Sequence, residues 1–490
     1  MSRVDDEFRK IAETLGWAIE EGFSDDHNRY HMFTVRRDAV SHKFAYLNSQ
    51  SSNRETYRFL EATVEFVFVQ TMSFSPNNSF SQGCRIPVLP DSDFLYVMTD
   101  WNMSYLGIAQ SEDDIERKET GIIRIIEEDP IRQIYTHLQS LTSRSVAKQA
   151  VMNYARQMGS TLTDDVIFAK AEGVSYLVQN AIDYYDTATT GNMTQRLLNL
   201  YYGTIALMEA EMLVYGEQYS ELSQIENITK FGHGMTTFGG AACLKDFYIG
   251  VMDKGLFQAW LSHRGCNVSG FAGSRQKAEK SEFVISLEDL FRHIPELQNV
   301  MQEIEPDYKP YFLFPSYDSS FNYTYGLKES AYNRKYVGSY VDFLGIDGQP
   351  DLAWEKQVIE SLLAPIVIIG EYKSNLTNSS GWRTFIKHRK GGRHYESYHT
   401  HKGMSASMVI APLFGITDDW EVFVVMILYA LSIVVRYMPN LWARMLHGDL
   451  DYYKAVLFQF SRVAEREMTQ IFLEKLTGKH VLVTHPQGLI

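Results

Sequence analysis

The chain has 490 residues, of which 45% are hydrophobic and 22% charged, a globular composition that excludes global disorder. Its formal net charge of −14 argues against non-specific coating of nucleic acid or anionic membrane, though not against a local basic site. Three scattered cysteines, Cys84, Cys243 and Cys266, form neither a disulfide framework nor a zinc knuckle, which fits a reducing cytoplasm.

At this length two domains are expected. Residues 1–125 read as a small mixed α/β domain. The opening stretch, MSRVDDEFRKIAETLGW, is charged and amphipathic, with no apolar core of the signal-peptide kind. Two β-branched and aromatic runs, 62–72 and 93–109, predict strands on either side of a Ser-Pro-Asn-Asn loop. From Asp129 the pattern turns helical. Asp129-Pro130 starts one helix, and Thr163-Asp164-Asp165 caps a second that runs to about 186. A third helix is expected over about 195–215, and Ser286 with Asp289 forms a capping arrangement before LEDLFRHI. The last two helices span about 421–438, stopped by Pro439, and about 449–476, stopped near Gly478. The apolar run 422–435 falls short of the roughly 18–20 residues a membrane span requires, so it reads as a buried helix and no membrane partner is expected. Between these helices, residues 305–400 are rich in Tyr, Gly, Ser and Asn, with strand candidates at 311–314, 340–343, 366–372 and 382–386. The fold class is therefore α+β. A predominantly helical body over 126–490 carries a β-containing insertion at about 305–400 and follows the small N-terminal domain.

The helical half contains the stretches LLNLYYGTIALMEAEMLVYG (197–216), GHGMTT (232–237), KGLFQAW (254–260), SLEDLFRHIPEL (286–297) and MILYALSIVVRYMPNLWARML (426–446). In these stretches, their order and their approximate spacing it resembles the YaaC-like family of bacterial proteins. The resemblance covers about 129–300 and 400–480 and implies architecture, bacterial origin and a cytoplasmic location, but no activity. Residues 197–233 also resemble HEPN-type helical domains, which are common in bacterial antiviral systems.

Several constellations could carry chemistry. His233, between Gly232 and Gly234, sits where unusual backbone angles are permitted. It could act as a general base or ligand contact, or simply hydrogen-bond to backbone at a helix entry. Arg436 ends the buried helix beside Tyr437 and Trp442. Pairing with a buried acid such as Glu209 or Glu211 is expected of it, with an anion site as the alternative. The run 387–402 holds five fixed cations, Lys387, Arg389, Lys390, Arg393 and Lys402, with His394, His399 and His401. Gly391-Gly392 would let these cations converge on a phosphate, and Tyr395 and Tyr398 could stack a base. The competing reading is a solvated hairpin. The three histidines also invite a metal reading, with no cysteine and only Glu396 to complete it.

Pro350-Asp351 followed by Glu371-Tyr372-Lys373 follows the PD-(D/E)xK nuclease pattern. Asp351 and Glu371 would hold Mg²⁺ there and Lys373 would position the attacking water, although the intervening 352–363 reads as a helix. Arg37/His42 and Arg389/His394 have the spacing of the HEPN ribonuclease pair, at a frequency expected by chance. No phosphate-binding GxxxxGK[ST], dinucleotide GxGxxG, serine-hydrolase GxSxG or zincin HExxH is present.

These features predict a protein that binds an anionic partner, a nucleotide or nucleic acid, through Lys387, Arg389, Lys390, Arg393, His394 and Lys402, in the setting of phage defence. No cofactor is identified. A Mg²⁺-dependent nuclease using Asp351, Glu371 and Lys373 is the enzymatic alternative, with His233 a further catalytic candidate. A structural subunit that docks another protein or a second copy is the third reading.

Overall fold

The computed structural model describes residues 3–25, 30–75, 78–81, 84–105, 121–126, 129–239, 242–305, 307–316, 336–345, 351–363, 366–373, 380–389, 401–402 and 407–483. The chain is α+β and divides into two compact units, Met1–Asp113 with Phe312–Ala411, and Asp114–Tyr311 with Pro412–Ile490.

The first unit contains two sheets. The N-terminal sheet runs in sequence order: Ala18–Asp25, Tyr30–Arg37, Val40–Leu47, Phe66–Val69 and Val88–Pro90. Its first three strands are antiparallel neighbours and the last two are added in parallel. Aromatic rings fill its core. Phe8 of the opening helix lies 4.1 Å from Phe94 and 5.6 Å from Phe44, centroid to centroid, and Phe33 stacks on Phe44 at 5.1 Å. The run 93–109, expected to be a strand, is instead a helix over Phe94–Tyr105. Phe94, Leu95, Val97, Met98, Thr99, Trp101 and Asn102 are all buried, and the Thr99 hydroxyl donates to the Leu95 carbonyl four residues back at 2.8 Å. Packing on most sides of this segment overrides the strand propensity of its composition. The neighbouring run does form a strand, at Phe66–Val69.

The second sheet is antiparallel and six-stranded, in the order Ile366–Lys373, Ser380–Arg389, Tyr336–Leu344, Phe312–Ser316, Ser407–Ile410, His401–Lys402. Each strand candidate in the polar stretch is thus a strand. Val367 and Phe385 join the aromatic core of the N-terminal sheet. Beside them, buried Asp342 takes a two-pronged ion pair from Arg383, 2.8 Å at both contacts, with the geometry a guanidinium and a carboxylate favour.

The second unit is the helical body. Its long helices are Arg144–Met158, Asp164–Thr190, Met193–Tyr215, Trp420–Tyr437 and Tyr453–Thr477. The expected caps at Asp129 and Thr163 are realised, and Met193–Tyr215 has a further, unexpected one. Asp129 accepts the Arg132 amide, Thr163 accepts that of Val166, and Asn192 with Gln195 forms a reciprocal capping box. At Gly203 a Cβ would lie 2.9 Å from the Tyr185 ring, so glycine lets Met193–Tyr215 press against Asp164–Thr190. Trp420–Tyr437 is long and apolar enough to cross a bilayer, yet 78% of it is buried within the protein, as expected of a core helix. A three-stranded antiparallel sheet, Met235–Gly239, Phe247–Val251 and Val284–Ser286, packs among the helices.

Several buried charges in this unit are paired, whereas buried Lys170 donates to the Leu213 and Gly216 carbonyls at 2.9 and 2.7 Å. Arg264 reaches Glu421 and Asp419, and Lys475 lies 2.9 Å from Glu421. Arg196 pairs with Glu465, which also accepts the Tyr135 hydroxyl at 2.9 Å.

Candidate anion-binding site

Three segments distant in sequence meet in the helical body: the tyrosine pair of Met193–Tyr215, the Gly-His-Gly turn, and the end of Trp420–Tyr437. The turn is shaped by its glycines. Gly232 has φ +88° and Gly234 φ +80°, both in the left-handed region. The carbonyls of Gly232 and His233 accept the amides of Leu256 and Phe257 at 3.1 and 2.9 Å, satisfying the exposed start of the helix Leu256–His263. A Cβ on Gly234 would sit 3.0 Å from the amide nitrogens of Phe257 and Gln258. Helix entry therefore uses the backbone of this turn and leaves the imidazole uncommitted.

The His233 ring lies between two phenols, with centroids 5.6 Å from Tyr201 and 5.9 Å from Tyr429. No hydrogen bond engages its nitrogens among the described residues. Burial lowers its pKa below the usual 6.5, and the charge of Arg436 lowers it further, so the ring is neutral near pH 7. The buried Tyr201 hydroxyl likewise has no hydrogen-bond partner among the described residues. Burial pushes Tyr429 up to about 12 against the pull of Arg436 and Arg275, and its hydroxyl donates to the Met235 carbonyl at 2.8 Å.

Arg436 supplies the charge. Its guanidinium donates to the Tyr202 hydroxyl at 3.2 Å and to the Ser432 carbonyl and hydroxyl at 3.0 and 3.1 Å, and lies 5.2 Å from the Tyr437 ring centroid. Among the described residues no carboxylate pairs with it. The expected Arg436–glutamate pair is thus not formed. Glu211 accepts the Trp260 indole at 2.7 Å and lies 3.6 Å from Lys475, while half-buried Glu209 is pushed up to about 7 by burial and then by Glu226. The reason is axial distance. Arg436 meets the helix at Tyr202, and the two acids lie seven and nine residues further along, about 10 and 13 Å of helix rise.

Aromatic faces surround this cation. Tyr184 stacks on Tyr202 at 5.7 Å and is 38% exposed, and Tyr437 is 68% exposed. Tyr184 and Arg275 carry no local sequence signal, because they come from two other segments, and Tyr429, seven residues before Arg436 on the same helix, is brought to His233 only by tertiary packing. The abundance of tyrosine was the one composition-level hint.

The other candidates lie in the first unit. Lys387 and Arg389 are on the last residues of Ser380–Arg389, paired in register with Gly338 and Tyr336, and Lys402 is on His401–Lys402 at the far edge of the same sheet. Lys390, Arg393 and His394, with Tyr395, Tyr398 and His399, fall outside the described residues. His401 is buried, and among the described residues no three His, Cys, Asp or Glu gather as a metal site.

Asp351 accepts the Trp354 amide at 3.0 Å and caps the helix Leu352–Ser361. Glu371 is exposed on the edge strand that carries Lys373, opposite Trp382, just past a register shift after Ile368. One turn beyond Asp351, buried Glu355 is pushed up to about 7 by burial and then by the Asp351 charge. Arg37 and His42 hold structure instead: Arg37 donates to Asn102 at 2.8 Å, and His42 contacts Glu65 at 2.9 Å and stacks on Trp101.

A family model described as YaaC-like Protein matches residues 139–476. No curated protein and no solved structure matches the chain.

Proposed function

The chain belongs to the YaaC-like family, and on that premise we propose that it binds an anionic partner, a nucleotide or nucleic acid, in the helical body that the family match covers. The observation behind this reading is Arg436, a half-buried guanidinium with hydroxyl and carbonyl partners but no carboxylate among the described residues. Partly buried cations are ordinarily paired, and a phosphate would complete this one with charge-assisted hydrogen bonds. The neutral imidazole of His233 and the unpartnered Tyr201 hydroxyl supply polar atoms beside it.

The basic run Lys387, Arg389, Lys390, Arg393, His394 and Lys402 is a second place for the same chemistry, supported by its density of cations in an acidic chain. Calorimetric titration of inorganic phosphate and of a short RNA into the wild type, Arg436→Ala and a Lys387/Arg389/Arg393 triple alanine variant separates the two. Loss in Arg436→Ala supports the helical-body site, and loss in the triple variant supports the basic run. Affinity unchanged in both removes this reading.

The nuclease reading requires Asp351 and Glu371 to share a Mg²⁺, with Lys373 beside it, and the capping bond of Asp351 favours the binding reading over it. Asp351→Asn keeps a good capping side chain, so Mg²⁺-dependent cleavage by the wild type that vanishes in that variant would restore the nuclease. We also propose a cytoplasmic role in phage defence, which rests on the HEPN likeness of residues 197–233. Equal plaque counts with and without the protein would remove it.

A further inference from the structure

We infer that the helical-body site takes a mononucleotide: one phosphate on Arg436 beside His233, and one base on the exposed tyrosines Tyr184 and Tyr437. This rests on the anion-binding reading of the same site and narrows its ligand to one class.

The first argument is charge count. Among the described residues Arg436 is the one fixed cation at the centre of the site without a carboxylate, and Arg275, whose charge also reaches Tyr429, donates to the Thr237 carbonyl at 2.9 Å. Tight polynucleotide binding draws on roughly 6–10 phosphate contacts. A chain of net charge −14 repels each additional phosphate at long range. One cation fits one phosphate group.

The second argument is the aromatic surround. Inorganic phosphate or a sugar phosphate would satisfy Arg436 and leave two tyrosine faces in water. Tyr184 comes from Asp164–Thr190, stacks on Tyr202, and so continues an aromatic surface outward from the hydroxyl that Arg436 contacts. Tyr437 carries Arg436 over its ring from the adjacent position. A planar base covers such a surface whatever its edge pattern, because every nucleobase has a π-face.

The third argument is the polar remainder. The unpartnered Tyr201 hydroxyl and the uncommitted His233 nitrogens sit on the inner side of the site. They offer a donor and an acceptor to phosphate or ribose oxygens, where an all-apolar ligand would leave them unsatisfied.

Titration calorimetry of the full chain with the four nucleoside 5′-monophosphates, ribose 5-phosphate, inorganic phosphate and a single-stranded decanucleotide tests this. At least one nucleoside monophosphate should bind about 5- to 100-fold tighter than ribose 5-phosphate, the range that stacking one base supplies. Tyr184→Ala, a change at a partly exposed position, should erase that difference while leaving Arg436-dependent phosphate binding in place. Equal affinity for nucleotide and ribose 5-phosphate, both lost in Arg436→Ala, would overturn the mononucleotide inference and leave the anion reading standing. A decanucleotide that outcompetes every mononucleotide with the same Arg436 dependence would also overturn it. Binding of no phosphate compound, or binding unchanged in Arg436→Ala, would overturn both.

Discussion

Glu211 accepts the indole N–H of Trp260 at 2.7 Å, a bond that ties the helix Met193–Tyr215 to the short helix Leu256–His263. The same carboxylate lies 3.6 Å from Lys475, which in turn lies 2.9 Å from Glu421. Four helices thus share one buried set of charges, and Glu421 is its hub because Arg264 also ends on it.

Glu421→Ala should therefore be far more damaging than a surface substitution. It removes the carboxylate the two cations share, leaving Arg264 with Asp419 and Lys475 with the more distant Glu211. Breaking a buried pair from one side costs about 3–5 kcal/mol. Urea unfolding should show that loss at neutral pH. Burial alone would push this carboxyl up, but the Arg264 and Lys475 charges outweigh it and hold the group well below 4.5. Its stabilising effect is therefore complete above about pH 4.5 and is lost as the pH falls further. The wild type should lose its advantage over the variant in acid, and a constant difference down to pH 2 would contradict this.

His293 gives a separate pH dependence. Its ring is buried between Tyr311 and Phe423, 4.4 and 4.5 Å away, and burial lowers its pKa to about 4 despite a 2.8 Å contact with the Asp289 carbonyl. The unfolded chain takes up a proton near pH 6.5 that the folded one resists until about pH 4. Stability should fall across that window by about 3 kcal/mol, at 1.36 kcal/mol per pKa unit, and then level off. His293→Phe should flatten this part of the stability profile.

The two glycines around His233 should respond differently to alanine. Both sit at positive φ, so each substitution carries strain of about 1–2 kcal/mol. Nothing lies within 4 Å of a Cβ on Gly232, whereas one on Gly234 meets two backbone nitrogens at 3.0 Å. Gly234→Ala should thus lower the melting temperature several degrees more than Gly232→Ala. Equal shifts would mean that the Leu256–His263 helix yields easily.

As the pH falls from 7.5 to 5.5, the wild type should gain phosphate affinity relative to His233→Gln. Burial and then Arg436 keep His233 neutral near pH 7, and its other ring neighbours, Tyr201 and Tyr429, are uncharged phenols. A bound anion favours the protonated ring, which adds a second cation beside Arg436. His233→Gln should keep only the pH dependence that comes from the second ionisation of phosphate itself, which falls in the same range.

Much of this was legible in the sequence, for local reasons. Helix starts at Asp129, Thr163 and Ser286 follow from side chains that cap amides three residues away, so their signals lie within one turn. The strands in the polar stretch were marked by their own aromatic and β-branched residues. The run at 93–109 was misread because its composition favours a strand, while the surrounding core that buries most of the described helix residues leaves no mark in the run itself. The site was half legible. His233 and Arg436 stood out singly, but their meeting depends on three segments up to 235 residues apart in sequence, Tyr201 to Arg436, and the apparent Arg436–glutamate pairing ignored distance along a helix.

The Gly-His-Gly turn holds the neighbouring helix entirely through backbone carbonyls. Position 233 therefore works as a socket: what projects from it can change while the frame stays the same. Related chains could place different side chains there and alter ligand preference without refolding the body. Variation at 233 with both glycines kept would mark a specificity dial rather than decay.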